Sequence, residues 1–231
     1  MFYDLDNITK IDFSNFDSSK VTSMIYMLNG CSKLTSITLN YLNTSTIISM
    51  KGIFKKCNSL ESLDLYNFDT KLVTDMSEIF SYCYSLSTLD LSNFDTYLVT
   101  NMSNMFNYFN SLTSLDLSYF NTSSVNTIKY MFYIGENLKY LNLDYFNTSS
   151  FTTFGYIFHQ CQSLKYLDLN YFETSSCIIM HSIFQFCYKL EILYIDNFNT
   201  FRVTSIDAIL NGCGRLTGLN QIILKHQMLK K

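Results

Sequence analysis

LSTLDLSNFDTYLVTNMSNMFNYFNS, from Leu86 to Ser111, is one turn of a repeat that the rest of the chain copies. A leucine stands at Leu34, Leu60, Leu86, Leu112, Leu138, Leu164, Leu190 and Leu216, always 26 residues apart, and Ile8 holds the same place one period earlier. Eight full copies therefore run from Ile8 to Arg215 with no insertion or deletion. A fixed period of roughly 20–50 residues marks a solenoid, in which each unit is too small to bury its own apolar face and relies on its neighbours. The 231 residues read as a single array, 1–231, with partial repeats at both ends.

Each copy has two halves. The first is LxxLDL, as in Leu86, Leu89, Asp90 and Leu91. Apolar and polar residues alternate with period two, which predicts a short strand with Leu89 and Leu91 inward and Thr88, Asp90 and Ser92 outward. Leu89 and the following Phe94 are assigned to the centre of the core. A corner comes next, Asp95-Thr96 in this copy and Asn121-Thr122 or Glu173-Thr174 in others. The second half is VTNMSNMF, where Val99, Met102, Met105, Phe106 and Phe109 follow the i, i+3, i+6, i+7, i+10 spacing of one helical face. That spacing predicts a helix of two to three turns, with Thr100 as N-cap and Thr74, Thr152 and Thr204 in the same role. The expected fold is thus α/β: a leucine-rich-repeat solenoid of about eight coils, each one short parallel strand plus one short helix. At a strand spacing of about 4.8 Å the array would be about 40 Å long.

Composition narrows the function. The net charge is −3, and the small basic clusters are Lys55-Lys56 and Lys230-Lys231, which is not the basic stripe of a nucleic-acid binder. No run of 18 apolar residues offers a membrane span. MFYDLDNITK lacks the basic and apolar regions of a signal peptide. Met1 and Phe2 fall in register with Met105 and Phe106, so the chain begins inside a repeat with no capping segment. That start implies a fragment of a longer protein, an end covered by a partner, or end-to-end self-association. At the other end KHQMLKK is polar enough for a poor cap.

The stretches SLSTLDLSNFDTYLVTNMSNMF (Ser85 to Phe106) and SLTSLDLSYFNTSSV (Ser111 to Val125) resemble the BspA-like leucine-rich repeat surface proteins, in their 26-residue, mycoplasma-lipoprotein-type variant. The resemblance covers nearly the whole chain. It implies a right-handed solenoid with the LxxLDL strands in a parallel sheet. It also implies an adhesive, protein-binding role at the cell surface or outside the cell, toward a host-surface, matrix or other surface protein; the alternative is a structural scaffold segment of a larger protein. Two departures stand out. The missing leader leaves a cytoplasmic location open, and Phe68, Phe94, Phe120, Phe146, Phe172 and Phe198 replace the backbone-bonding asparagine ladder of ordinary repeats with a phenylalanine stack.

Several columns invite chemistry. Cys31, Cys57, Cys83, Cys161, Cys187 and Cys213 share one, with Phe109 and Gly135 filling its gap. With no histidine beside it, that ladder reads as buried free thiols rather than a metal site, and Cys177 reads as core. His159, His181 and His226 read as exposed and inert. No nucleophile elbow, zinc motif or phosphate loop is present, so an enzyme is not expected and no cofactor is implied. The sequons at Asn43, Asn121 and Asn147 coincide with the turn column and read as corners. Threonines from Thr44 to Thr200 follow Asp, Asn or Glu at the corners, where local bonding accounts for them.

Two sets of residues remain as partner-binding candidates. Asp64, Asp90, Asp116 and Asp168 form an outward row, either simply solvated or a weak site for a divalent cation or a basic partner. Tyr140, Tyr166 and Tyr194 stand on the strand face of the C-terminal half, where earlier coils carry small residues. Tyr66, Tyr82 and Tyr108 are likewise expected to face solvent. Exposed tyrosine is a common interface anchor, though a stacked row can also reinforce strand pairing.

Overall fold

A computed structural model describes residues 2–219, with the side chains of Gly218 and Leu219 excepted. The KHQMLKK tail and His226 lie outside the described residues. The LxxLDL segments are strands in parallel register one period apart: β1 (Lys10–Asp12) with β2 (Ser36–Thr38), β3 (Ser114–Asp116) with β4 (Tyr140–Asn142), and β5 (Tyr166–Asp168) with β6 (Ile192–Tyr194) and β7 (Gly218–Leu219). The middle strand residue points inward and its flanks outward, as period two requires. Leu115, Leu141, Leu167 and Leu193 are buried in this way.

The strand side is not one continuous sheet. The first six coils pair two by two, with a lone Ser62–Thr88 bridge standing for the third and fourth, and the last three strands pair together. Among the described residues no backbone bond joins 35–39 to 61–65, 87–91 to 113–117, or 139–143 to 165–169. Leu89, assigned to the core centre, is only half-buried beside one of these openings. Phe94 is buried as expected.

The second half of each coil departs from the helix that its spacing predicts. Among the described residues there is no helix. Instead, tight turns follow one another. Met27 N–H bonds Met24 C=O at 3.1 Å and Cys31 N–H bonds Leu28 C=O at 3.2 Å. The third residues of these turns, Tyr26 and Gly30, have φ of 52° and 81°. A positive φ there defines a type II turn. The pattern recurs down the array at Glu78 and Tyr82, Asn104 and Tyr108, Tyr156 and Gln160, and Ser182 and Phe186.

The reason is spacing. An α-helix spends its N–H groups internally and keeps a packed neighbour about 8–10 Å away, whereas strand-paired coils sit about 4.8 Å apart. The turns leave alternate N–H groups pointing along the solenoid axis. Those of Met24, Tyr26, Leu28 and Gly30 reach the carbonyls of Ser49, Lys51, Ile53 and Lys55, one coil on, at 2.8–3.0 Å. Phe54, Phe80, Phe106, Phe132, Phe158 and Phe184 stack in one column with ring centroids 5.5–6.0 Å apart, too close for helices side by side. The threonines read as N-caps bond across coils instead: the Thr74 hydroxyl donates to Ile48 C=O and that of Thr100 to Thr74 C=O.

The corner threonines also act between coils. The hydroxyl of Thr70 accepts the Asp95 N–H at 2.8 Å and donates to the Asp95 carbonyl at 2.9 Å. Thr44, Thr96, Thr122, Thr148 and Thr174 are buried and donate to the next coil likewise. The neighbouring Asn43, Asp69, Asn121 and Asn147 accept a backbone N–H two residues on, which makes them structural corners. The phenylalanine column from Phe68 to Phe198 is buried, but the asparagine ladder is not wholly lost. One residue earlier, Asn93 Nδ2 bonds the carbonyls of Leu65 and Tyr66, and Asn197 Nδ2 bonds that of Asn170.

Candidate functional site

The frame presents two sets of side chains outside the core, the strand face and the turn face, and holds the cysteine column within it. On the strand face, Tyr140 and Tyr166 occupy equivalent outward positions on β4 and β5, and Tyr194 ends β6 opposite Asp168. Tyr140 is 55%, Tyr166 47% and Tyr194 39% exposed. The rings of Tyr166 and Tyr194 meet edge to face at 5.7 Å, and the Tyr166 hydroxyl lies 3.4 Å from Asp168 Oδ2. Partial burial and the Asp168 charge push the Tyr166 phenol up, so it stays a neutral donor. Beside them, in the turn after the strand, Tyr119, Tyr145 and Tyr171 are exposed where Asn93 and Asn197 brace the backbone in other coils. Tyr145 and Tyr171 lie 5.2 Å apart. Three successive coils thus replace a possible backbone brace with an exposed ring.

The aspartates stand in the expected outward row, and each has a local duty. Asp64, Asp90, Asp116 and Asp168 each accept the N–H of the residue two places on, at 2.9–3.1 Å, through one carboxylate oxygen. The Ser92 backbone and hydroxyl hold the Asp90 carboxyl below its ordinary range. Among the described residues no group of three or more His, Cys, Asp or Glu is placed to hold a metal.

The turn face carries what the sequence reading missed. Tyr82, Tyr108, Tyr133, Tyr130, Tyr156 and His159 form a continuous chain of ring contacts across four coils, beginning with Tyr82 and Tyr108 stacked at 4.5 Å. Tyr82 and Tyr108, expected to face solvent, are therefore half-buried. His159 is 8% exposed rather than free in solvent, lies flat on Tyr133 at 4.9 Å, and its Nδ1 has no protein partner. Burial holds its imidazole below the usual range. His181 is half-buried against Tyr156 at 4.6 Å. A recurrence of tyrosine at period 26 in positions off the apolar stripe was the available signal, and the helix assignment hid it.

Further toward the N-terminus the same face holds charges. Tyr26 lies across Gly52, where a Cβ would come within 2.3 Å of its ring, and its hydroxyl reaches Glu78 Oε1, two coils away, at 3.0 Å. Lys55 and Lys51 pair with Glu78, and both ammonium groups sit within 6 Å of the Tyr26 ring. Burial pushes Glu78 up, but the Lys55 bond, the Tyr26 hydroxyl and the Lys51 charge outweigh it and hold the carboxyl below its usual value.

The cysteines are free. Each thiol of the column donates to a carbonyl of the preceding coil, from Cys31 on Phe2 at 3.0 Å to Cys213 on Phe184 at 3.0 Å. Burial pushes the Cys83 and Cys161 thiols up to about 12, far from thiolate chemistry. Phe109 and Gly135 fill the break in the column as a matched pair, because a Cβ on Gly135 would lie 2.5 Å from the Phe109 ring.

A parallel-stranded coil of 26 residues, built on an inward leucine column and stacked through its backbone, defines a leucine-rich-repeat solenoid. The chain belongs to the family described as Mycoplasma protein of unknown function, DUF285, whose model matches residues 1–113, 83–192 and 107–225. No curated protein matches it. Among solved structures it is similar to a leucine-rich repeat protein from Bacteroides ovatus, at 17% identity and a TM-score of 0.51, covering 90% of this chain and 62% of that one. It is also similar to the leucine-rich repeat protein of T. pallidum, at 23% identity and a TM-score of 0.49, covering 71% and 68%. A leucine-rich repeat protein from Eubacterium ventriosum matches at 15% identity and a TM-score of 0.47, covering 98% and 82%. These likenesses concern the fold. Among the described residues no helix is long and apolar enough to cross a membrane.

Proposed function

We propose that the chain is a non-catalytic protein-binding module of adhesive type, belonging to a surface protein, and that it holds its partner on the strand face of its C-terminal half. The observation that carries this reading is the group of six exposed tyrosines on four adjacent coils: Tyr119, Tyr140, Tyr145, Tyr166, Tyr171 and Tyr194. Isolated exposed rings are ordinary, but a contiguous set on a rigid frame is the composition of an interface core, with apolar rings for burial and hydroxyls for orientation. The rigid frame adds to this, since little ordering is lost when the partner docks. The surface and adhesive elements follow the resemblance of the repeat to BspA-like proteins. The partner class is a host-surface, matrix or other surface protein.

Replacing Tyr166 and Tyr194 together with serine tests the reading. Capture of an immobilised matrix or surface protein should be lost while the melting temperature changes little. If capture persists and only the melting temperature falls, the rings serve strand pairing and the module is a structural spacer at this face.

A further inference from the structure

The openings in the strand side differ in what covers them. Between β4 and β5 the flanking outward residues are Tyr140 and Tyr166, and the leucines beneath, Leu141 and Leu167, are 7% and 0% exposed. Between the fourth and fifth coils the flanking residues are Thr88 and Ser114. A cleft of about 350 Å³ lies there, lined by Leu63, Ser87, Thr88, Leu89, Asp90 and Ser114. Its floor is the half-buried Leu89 with Leu63 beside it, so apolar surface is reachable through a gap whose backbone edges are unpaired across it.

Charge decides what fits. Exposed Glu61, Asp64, Asp90 and Asp116 surround this cleft, and residues 61–66, 87–92 and 113–118 contain no lysine or arginine. The carboxylates are not free to turn away. Asp64, Asp90 and Asp116 are each pinned through Oδ1 to a backbone N–H two residues on. A carboxylate has about four acceptor sites, so each retains capacity for an incoming donor. We propose that this cleft binds an extended cationic peptide segment of a partner protein, one apolar side chain entering onto Leu63 and Leu89 while flanking Lys or Arg residues pair with the aspartate row. The site is separate from the tyrosine face. It shares that face's strand-side surface but uses small residues where the other uses rings.

Fluorescence anisotropy with the full chain and labelled short peptides centred on Lys-Leu-Lys, Lys-Ser-Lys and Glu-Leu-Glu tests this. The first should bind, the second at least about tenfold more weakly, and the third not at all. Ser114→Tyr, which places in the cleft the residue the same column carries at Tyr140 and Tyr166, should weaken the first peptide by about tenfold. Asp90→Asn with Asp116→Asn should also weaken it and flatten its salt dependence. Tyr166→Ser should leave it unchanged, which keeps this site distinguishable from the one proposed above. No binding of the first peptide, equal binding of the leucine and serine peptides, indifference to Ser114→Tyr, or loss with Tyr166→Ser would each overturn the assignment.

Discussion

The strand side and the turn side of each coil hold the same neighbours together by different means. On the strand side at most three residues per coil pair, and the pairing lapses at three junctions, after the second, fourth and sixth coils. On the turn side four N–H groups per coil bond the next coil at most junctions, beneath a stack of phenylalanine rings. The difference assigns the two sides different work. The turn side carries the cohesion of the array, and the strand side, held in place by it, is free to part and to vary its outward residues.

Truncations on the two sides sharpen that contrast most. Phe106→Ala removes a ring that is 1% exposed and stacked at 5.6 Å and 5.8 Å on its neighbours, so it should cost about 3–5 kcal/mol in chemical denaturation. Leu89→Ala, at the half-buried floor of the cleft, should cost about 1–2 kcal/mol. Equal costs would mean that the strand side closes in solution and that cohesion is shared.

Much of this was legible in the sequence, and the part that was not has one cause. The period, the parallel strands, the buried phenylalanine column and the free thiols all follow from which columns are apolar. The spacing of Val99, Met102, Met105, Phe106 and Phe109 suits a helix face equally well as a run of turns, because both return a side chain inward every three to four residues. What excludes the helix is the distance to the next coil, a property of stacked repeats and not of one repeat read alone. That misreading moved Thr100 to a cap and put Tyr82, Tyr108 and His159 in solvent. The strand-face tyrosines and aspartates were legible because outward positions on a strand are unambiguous, whereas the opening at Leu89 depends on backbone pairing that no residue type announces.

A double substitution tests how closely turn-side packing depends on its neighbours. Gly135→Cys restores the cysteine column in sequence but drives a Cβ to within 2.5 Å of Phe109, which is buried and cannot swing aside. Overpacking of this kind costs about 1–3 kcal/mol. Phe109→Cys alone leaves a void where the ring was. The two together recreate the thiol ladder of the other coils, so the double variant should be more stable than the sum of the singles implies, by about 1 kcal/mol or more. Additive losses would show that the coils pack independently at this column.

The smallest effect has the most informative sign. Ala208 sits in the stretch whose spacing predicts a helix, is exposed, and has φ of 56°. In a helix, Ala→Gly is unfavourable by about 1 kcal/mol, since glycine orders more backbone and brings no compensating contact. At a left-handed turn position the balance reverses. An L-residue there costs about 1–2 kcal/mol through the clash of Cβ with the following carbonyl, and glycine removes it. After the entropy of the freer glycine in the unfolded chain is subtracted, Ala208→Gly should stabilise the protein by roughly 0.5–1 kcal/mol. Ser36→Gly on exposed β2 should destabilise it by a similar amount, because extended backbone offers no such clash to relieve. Opposite signs at these two sites, measured in one denaturation series, are what turns on one side and strands on the other require. A loss at both would return a helix to the turn side.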